Sequence, residues 1–132
     1  MTIQDTAPAN EVEMRVPAEV AFISTLRITA ASLAARCDLT IDDIEDLRLA
    51  VDESCALLLP HATLDSAIDI RFGLSAGRLQ VDVSVQTDEA SEPDRDGFAW
   101  TVLEALASSV DVTKHDSRLT ITVTKVSEAA AR

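Results

Sequence analysis

The sequence predicts an α/β (α+β) fold, a two-layer sandwich in which helices cover one face of a mixed, mostly antiparallel sheet. Two observations support this prediction. The hydrophobic period switches along the chain between two and about 3.6, in the order β, α, α, β, β, α, β, β. Every predicted strand also alternates apolar with polar side chains, as strands do when only one face of a sheet is buried.

The length and composition of the chain fit one globular domain. It has 132 residues, of which 47% are hydrophobic and 26% are charged, and a single core typically uses roughly 100 to 150 residues. We therefore expect one domain over residues 1–132, folded from about 11 to 126, with polar or alanine-rich tails at 1–10 and 127–132.

The first strand and the first helix follow each other closely. Val12, Met14 and Val16 alternate with charged residues, which predicts a half-buried strand. Pro17 then suits the first turn of a helix, where a missing N–H costs nothing. Apolar residues at helical spacing predict an amphipathic helix over 18–36. Its expected buried face consists of Phe22, Ile23, Leu26, Ala30, Leu33, Ala34 and Cys37.

A second helix is predicted from Ile41 to about Leu59, where Pro60 ends it. Thr40 with Asp43 resembles an N-cap followed by acidic residues in the first turn. The expected buried stripe consists of Ile41, Ile44, Leu47, Val51, Cys55 and Leu58. The opposite face is expected to hold Asp46, Ala50, Glu53 and Leu57.

The second half of the chain is predicted to be mainly strands. Period-two alternation on both sides of Ser75-Ala76-Gly77 predicts a β-hairpin. The acidic stretch 86–96 is expected to be a solvated loop. A third helix follows, with another strand over 119–124 and a weaker one near 110–114. The apolar residues assigned to this helix are Phe98, Val102, Leu103, Leu106 and Val110.

The charge of the chain narrows its class of partner. A formal net charge of −12 repels nucleic-acid phosphates and anionic lipids, and attracts a basic protein surface. The acidity could equally serve solubility alone. No apolar run reaches the roughly 20 residues that cross a bilayer, and the first ten residues do not resemble a signal peptide. We therefore expect a cytoplasmic protein that binds neither nucleic acid nor membrane.

The remaining residues with reactive side chains do not form a recognisable site. Cys37 and Cys55 have no metal-ligand spacing and are expected to be small buried hydrophobes. His61 and His115 are expected in surface loops, and no nucleophile-elbow motif is present. Trp100, on the third helix, is expected in the core or at an interface. No metal site is predicted.

Three segments, in order, resemble one known family. They are Asp46–Cys55 preceded by Leu39–Ile44, then Gly97–Leu106, and finally Leu119–Lys125. Together they are similar to the serine-kinase anti-sigma factors, a branch of the histidine-kinase-like ATPase (Bergerat fold) superfamily. The resemblance extends over roughly residues 11–125. It implies the histidine-kinase-like ATPase fold, a homodimer, a sigma factor as partner, and an antagonist of the anti-anti-sigma type.

In the helix that resembles the family's motif, this chain keeps one of the family's functional residues and lacks another. Glu53 stands where the family has its catalytic base, which makes it a relic base. Leu57 stands four residues later, where the family has an asparagine that binds magnesium. A leucine has no oxygen for a metal that binds hard oxygen ligands. Glu53 could also be an ordinary surface glutamate.

The nucleotide-binding motifs of that family are also altered. The positions of the family's adenine-binding aspartate and of the glycines after it are occupied here by Val85, Thr87 and Glu89. If the match along the sequence is moved by a residue or two, Asp88 takes the position of the adenine-binding aspartate. In the lid motif Gly97 is retained as a relic, and the next glycine is Ala99. The glycine-threonine pair that opens the last strand is replaced by Arg118-Leu119.

These departures lead to a functional hypothesis with two alternatives. The resemblance implies an anti-sigma factor that sequesters a sigma factor, and the lost ligands imply that it does so without kinase activity, ATP or magnesium. Arg27 lies where the family places an arginine that contacts the sigma factor, although it could be a solvated helix charge. The first alternative is an active protein-serine kinase that uses ATP and magnesium. The second is a signalling adaptor that binds no sigma factor.

Overall fold

The computed structural model describes residues 10–88 and 93–127. Within these residues the order of strands and α-helices is the predicted one, and short 3₁₀ turns at Val20–Phe22 and Leu59–His61 adjoin the first two helices. The strands are β1 (Glu11–Pro17), β2 (Ala67–Ser75), β3 (Arg78–Gln86), β4 (Ser109–His115) and β5 (Arg118–Val126). The helices are α1 (Ile23–Ala35), α2 (Ile41–Leu58) and α3 (Phe98–Leu106).

The five strands form one sheet in the order β1-β2-β3-β5-β4. All four pairings are antiparallel, where the sequence predicted a mostly antiparallel sheet. At the centre Val83 lies opposite both Ile70 and Ile121, and all three side chains are buried. The alternate residues of each strand face away from the helices, so this second face of the sheet, the open face, is polar.

The core lies between the sheet and the helices. Phe72 from β2, Leu26 from α1 and Leu47 from α2 are each fully buried there. Burial of a large apolar side chain contributes about 1.5–3 kcal/mol. Both cysteines lie in this core, as predicted. The two-layer α/β prediction is therefore confirmed.

Pro17 ends β1 and does not begin a helix, so that prediction was wrong. The pairing with β2 continues past it, because Ala18 donates its N–H to Ser66 O at 3.0 Å. β1 is an edge strand, and the nitrogen of Pro17 points away from β2. A missing N–H therefore breaks no hydrogen bond of the sheet. α1 begins only at Ile23.

The start of α2 was predicted correctly, but its buried face was not. The Thr40 side chain accepts from Asp43 N, and the Asp43 carboxylate accepts from Thr40 N, which completes a capping box. Ile41 is 81% exposed, whereas Ala50 is fully buried. The buried face therefore turns toward Ala50, because α2 packs against α3 and β5 as well as α1.

Two aromatic residues at the starts of helices are exposed, and of these only Phe22 was assigned to a buried face. Phe22 is 36% exposed and lies before α1, and Phe98 is 83% exposed at the first position of α3. Trp100, which was expected in the core or at an interface, is the buried aromatic residue of α3. The Arg95 guanidinium carbon lies 5.5 Å from the centroid of its ring. Val110, assigned to the third helix, lies in β4.

The predicted loop and tails lie partly outside the described residues. Residues 89–92, 1–9 and 128–132 are not described. At the boundaries Asn10 O accepts from Leu74 N, and Ser127 donates its N–H to Gly77 O. No helix within 10–88 and 93–127 is long and apolar enough to cross a membrane.

Candidate functional site

Two regions of the molecule are candidate functional sites. The first is the region of the altered nucleotide motifs, on α2, α3 and the ends of β3 and β5. The second is the cleft between α1 and α2 that contains Arg27.

On α2, Glu53 and Leu57 differ in their surroundings. Glu53 is partly exposed, and within the described residues it has no hydrogen-bond or ion-pair partner. Leu57 is partly buried and packs against the hydrophobic core. The position that would need an oxygen ligand for magnesium therefore contributes apolar packing.

At the end of β3, the proposed adenine position lies inside the core. Val85 is fully buried, opposite Ile68 on β2 and Leu119 on β5. Thr87, two residues later, is also buried, and its N–H donates to Ser117 O at 2.7 Å. Asp88 is exposed and lines a cavity of about 840 Å³ at the open face. Glu89 lies outside the described residues.

Arg118, which replaces a glycine at the start of β5, is held on the open face. It donates from Nη1 to Asp69 Oδ2 at 3.0 Å. Arg15 on β1 donates to the same carboxylate from Nε at 2.8 Å. The hydrogen bond from Arg15, followed by that from Arg118, holds the pKa of Asp69 below its ordinary value of 3.8, although desolvation opposes this. Arg118 thus links β5 to β2 across the intervening strand.

Gly97 is the N-cap residue of α3 and has an extended backbone with φ −81°. A Cβ added there would lie 3.1 Å from Asp94 Oδ2. The Asp94 carboxylate also accepts from Asp96 N at 2.9 Å. In this structure the glycine therefore accommodates the turn that precedes α3.

The far end of α3 is fixed by a lysine. Lys125 on β5 donates to Leu106 O at 2.9 Å and to Asp46 Oδ2 of α2 at 3.2 Å. A cation at a helix C-terminus satisfies a carbonyl and interacts favourably with the helix dipole. This contact holds α3 to both β5 and α2.

The described residues contain no group of three or more histidine, cysteine, aspartate or glutamate side chains that could hold a metal ion. His115 is almost fully exposed at the end of β4, as expected of a surface histidine. His61 is only partly exposed and lies in the 3₁₀ turn after α2.

The second region contains an ion pair between the first two helices. Arg27 Nη1 lies 3.0 Å from Asp52 Oδ1, with side-chain exposures of 32% and 37%. The pair borders a cleft of about 560 Å³ between the start of α1 and the end of α2. The cleft is lined by Val20, Ile23, Ser24, Arg27, Asp52, Ala56, Leu59 and Pro60. Arg27 is therefore a charged group at the edge of a largely apolar cleft.

Asp52 was missed by the sequence analysis. It is separated from Arg27 by 25 positions in the chain, and only the antiparallel packing of α1 on α2 brings the two together. The signal that could have found it is the short connection between the helices, which predicts an antiparallel helix pair.

The chain matches the sequence model of the histidine kinase-like ATPase domain over residues 16–125. That range includes every strand and helix discussed above except parts of β1 and β5. The chain belongs to the histidine kinase-like ATPase family.

Within this histidine kinase-like ATPase family, the chain is similar to bacterial serine-protein kinases. It is 30% identical to serine-protein kinase RsbW of Bacillus subtilis (strain 168), with 89% of this chain and 86% of that protein covered. It is 40% identical over 80 residues to serine-protein kinase RsbW of Bacillus velezensis, covering 58% of this chain but only half of that protein. The predicted resemblance to the serine-kinase branch is thus confirmed.

A solved structure shows the same fold. The crystal structure of the RsbU and RsbW domains of Rv1364c from Mycobacterium tuberculosis superposes with a TM-score of 0.69 at 21% identity. The match covers 91% of this chain and 33% of that one. The histidine-kinase-like ATPase fold that the sequence predicted is therefore confirmed.

Proposed function

We propose that this protein is a cytoplasmic anti-sigma factor that binds and sequesters a sigma factor without kinase activity. Its membership of a family that includes serine-protein kinases RsbW supports the regulatory role. The observation that best supports binding over catalysis is Leu57, which packs against the core where the resembling family has its magnesium ligand.

The other altered positions also argue against a nucleotide site. Val85 is fully buried and offers no acceptor to an adenine. Arg118 is bonded to Asp69 on the open face, so it contributes a cross-strand link where the family has a glycine. ATP with magnesium therefore does not fit the residues present. Without them Glu53 has no substrate on which to act as a base.

The binding surface in this proposal is the cleft between α1 and α2. Arg27 combines a charge with apolar neighbours, and arginines that become desolvated when a partner binds are enriched among the residues that dominate binding energy. Asp52 holds it in place before any partner arrives. A carboxylate of the sigma factor would then add to this pair or replace Asp52 in it.

Other parts of the proposal follow from the resemblance. The protein would act as a homodimer and would release its sigma factor when an anti-anti-sigma protein competes for the same surface. With a net charge of −12, encounter with a basic sigma surface would be accelerated at low salt.

A second candidate function is a protein-serine kinase. The RsbW relatives have that activity in their names, and Glu53 remains partly exposed on α2. This candidate requires ATP and magnesium to bind with a site rebuilt from other residues.

The direct test is capture of the wild-type protein and its Arg27→Ala variant from the native cytoplasm. We expect a sigma factor to accompany the wild-type protein and to be depleted with the variant. Arg36→Ala is the matched control, because Arg36 is an exposed arginine at the other end of the same helix. If the captured wild-type protein brings no sigma factor with it, the result would contradict the anti-sigma proposal and favour the signalling adaptor.

A further inference from the structure

The cavity at the open face, of about 840 Å³, lies at one end of the sheet, where β1 and β3 end and β2 and β5 begin. The strands contribute Arg15, Asp69 and Arg118 to its lining. The loop before β2 contributes Asp65, and the segment after β3 contributes Asp88. Cavities that hold small molecules typically measure roughly 300–1,000 Å³, so this one is large enough for a ligand with several functional groups.

The strand part of the lining has more positive than negative charge. Asp69 Oδ1 accepts from Arg15 Nε at 2.8 Å, and Asp69 Oδ2 accepts from Arg118 Nη1 at 3.0 Å. Within the described residues neither arginine has an ion pair with another carboxylate. A guanidinium has several N–H donors, so both arginines keep donors for a second anion. Two cations that share one carboxylate leave a net positive charge here.

The loop part of the lining has the opposite charge. Asp65 and Asp88 are both exposed. Neither carboxylate has an ion pair with any residue in 10–88 or 93–127. Two negative charges without a counter-charge favour a cationic group between them and the strands. The lining of this cavity therefore separates positive from negative charge.

Hydrogen bonds hold the loop before β2 in position. Thr63 donates its N–H to Gln86 O at 2.9 Å, which connects the loop to the end of β3. Ser66 closes a turn, because its N–H and its hydroxyl both donate to Thr63 O, at 3.3 and 2.6 Å. Within this turn Asp65 has φ 59°, in the left-handed region that aspartate and asparagine adopt more readily than most residues. The backbone of Asp65 is therefore fixed before a ligand binds.

We propose that this cavity binds a small zwitterion of the amino-acid or dipeptide class. The carboxylate of the ligand would accept from the two arginines, and its ammonium would donate to Asp65 and Asp88. An aliphatic side chain of the ligand would pack on Leu64, which is 91% exposed and lines the same cavity. This inference does not depend on the anti-sigma function, because the Arg27 cleft contributes no residue to the cavity.

A ligand with a single charge fits this lining less well. A simple anion would face Asp65 and Asp88 without compensation, and a simple cation would face the two arginines. In a chain with a net charge of −12, a free anion is also repelled over longer distances. A zwitterion has no net charge, so it avoids this repulsion and still makes charge-assisted hydrogen bonds at both ends.

The test is calorimetric titration of the full chain with leucyl-leucine and two blocked analogues. N-acetyl-leucyl-leucine lacks the ammonium, and leucyl-leucinamide lacks the carboxylate. We expect the wild-type chain to bind leucyl-leucine and to bind each analogue about tenfold more weakly, because each lacks one charge-assisted contact. A parallel titration with free leucine distinguishes the two ligand sources, since the tighter of the two unblocked compounds identifies the preferred separation of the charges.

Variants assign each charge of the ligand to its part of the lining. Arg118→Gln should bind leucyl-leucine about tenfold more weakly and no longer distinguish it from leucyl-leucinamide. Asp65→Asn combined with Asp88→Asn should instead no longer distinguish it from N-acetyl-leucyl-leucine. Asparagine also adopts the left-handed conformation, so this variant keeps the turn. Arg78→Gln is the matched control, because Arg78 is exposed at the opposite end of β3 and does not line the cavity.

Three results would overturn the proposal. The first is a folded wild-type chain that binds neither leucine nor leucyl-leucine. The second is equal affinity for leucyl-leucine and its two analogues, because the charges would then contribute nothing. The third is an Arg118→Gln variant that weakens all three compounds equally, which would make the arginine a structural link only. Melting curves establish that each variant is folded, and Arg15→Gln replaces Arg118→Gln if the latter unfolds.

Discussion

Arg118 on β5 reaches over β3 to bond Asp69 on β2, with 3.0 Å between Nη1 and Oδ2. Arg15 completes the cluster from the edge strand. Three strands of the open face are therefore connected through one carboxylate.

This cluster should make stability depend on pH. The pKa of Asp69 is lowered in the folded state, so its ionised form favours folding. That contribution is present above the ordinary pKa of 3.8 and is lost as pH falls through the lower folded pKa. We expect Asp69→Asn to lower the melting temperature at neutral pH, and the difference from wild type to shrink below about pH 4. A difference that is constant down to pH 2 would contradict this account.

Arg27 should matter more for binding than for stability. Arg27→Ala removes a partly exposed ion pair, which is typically worth about 0.2–1 kcal/mol of folding free energy. Loss of a contact to a desolvated carboxylate of the partner should cost about 2 kcal/mol or more of binding free energy. Arg27→Lys should recover only part of it, because an ammonium lacks the bidentate geometry. Titration with the purified sigma factor measures the change in binding free energy, and melting curves measure the change in folding stability. Unchanged affinity would show that Arg27 is an ordinary surface charge.

Asp52 should limit the affinity of that contact. Asp52→Asn keeps an acceptor oxygen for Arg27 but removes a negative charge beside the incoming carboxylate. We expect the variant to bind the sigma factor several-fold more tightly, with the larger gain at low salt, where screening is weakest. Weaker binding by Asp52→Asn would indicate that orientation of Arg27 by the full charge outweighs repulsion.

Nucleotide binding should be absent at physiological ATP and magnesium concentrations. A ligand present at about 100 times its dissociation constant stabilises a protein by about 2.7 kcal/mol, so ATP should leave the melting temperature unchanged. Leu57→Asn alone should not restore binding, because Val85 and Arg118 remain. Calorimetry that finds a low-micromolar dissociation constant for wild type would favour the kinase candidate.

The two cysteines should react slowly in the native protein. Burial raises the pKa of the Cys55 thiol to about 12, and desolvation also raises that of Cys37. Since the thiolate is the nucleophile, neither should be alkylated at neutral pH until the chain unfolds. Iodoacetamide labelling followed by mass spectrometry, with and without denaturant, measures this directly. Rapid labelling of Cys37 in native protein would show that its end of α1 opens.

The sequence was sufficient for the order of elements but not for the faces that they bury. Periodicity finds each strand and helix because one side of each is apolar. It assigned Ile41 to the buried stripe of α2 and Ala50 to the opposite face, and the structure reverses both. Which part of an apolar helix is buried depends on its neighbours, and α2 contacts α1, α3 and β5 together.

In the candidate site, too, some residues could be found from the sequence and others only from the folded structure. The family resemblance singled out Glu53, Leu57 and Gly97, because each lies in a continuous segment that can be matched along the sequence. The pairs Arg27 with Asp52 and Arg118 with Asp69 depend on tertiary packing, so no local pattern predicts them. Pro17 illustrates a third case, since only the direction of its nitrogen at the sheet edge distinguishes a strand end from a helix start.

The strand order limits when each strand can join the sheet while the chain is being translated. β5 lies between β3 and β4 in the sheet, yet it leaves the ribosome after both. β4 cannot join the sheet before β5 arrives, and Lys125, which holds α3, belongs to the same late strand. A nascent chain that stops short of β5 should therefore hold β1, β2 and β3 with their helices, but leave α3 without its Lys125 contact and β4 unpaired and available to chaperones.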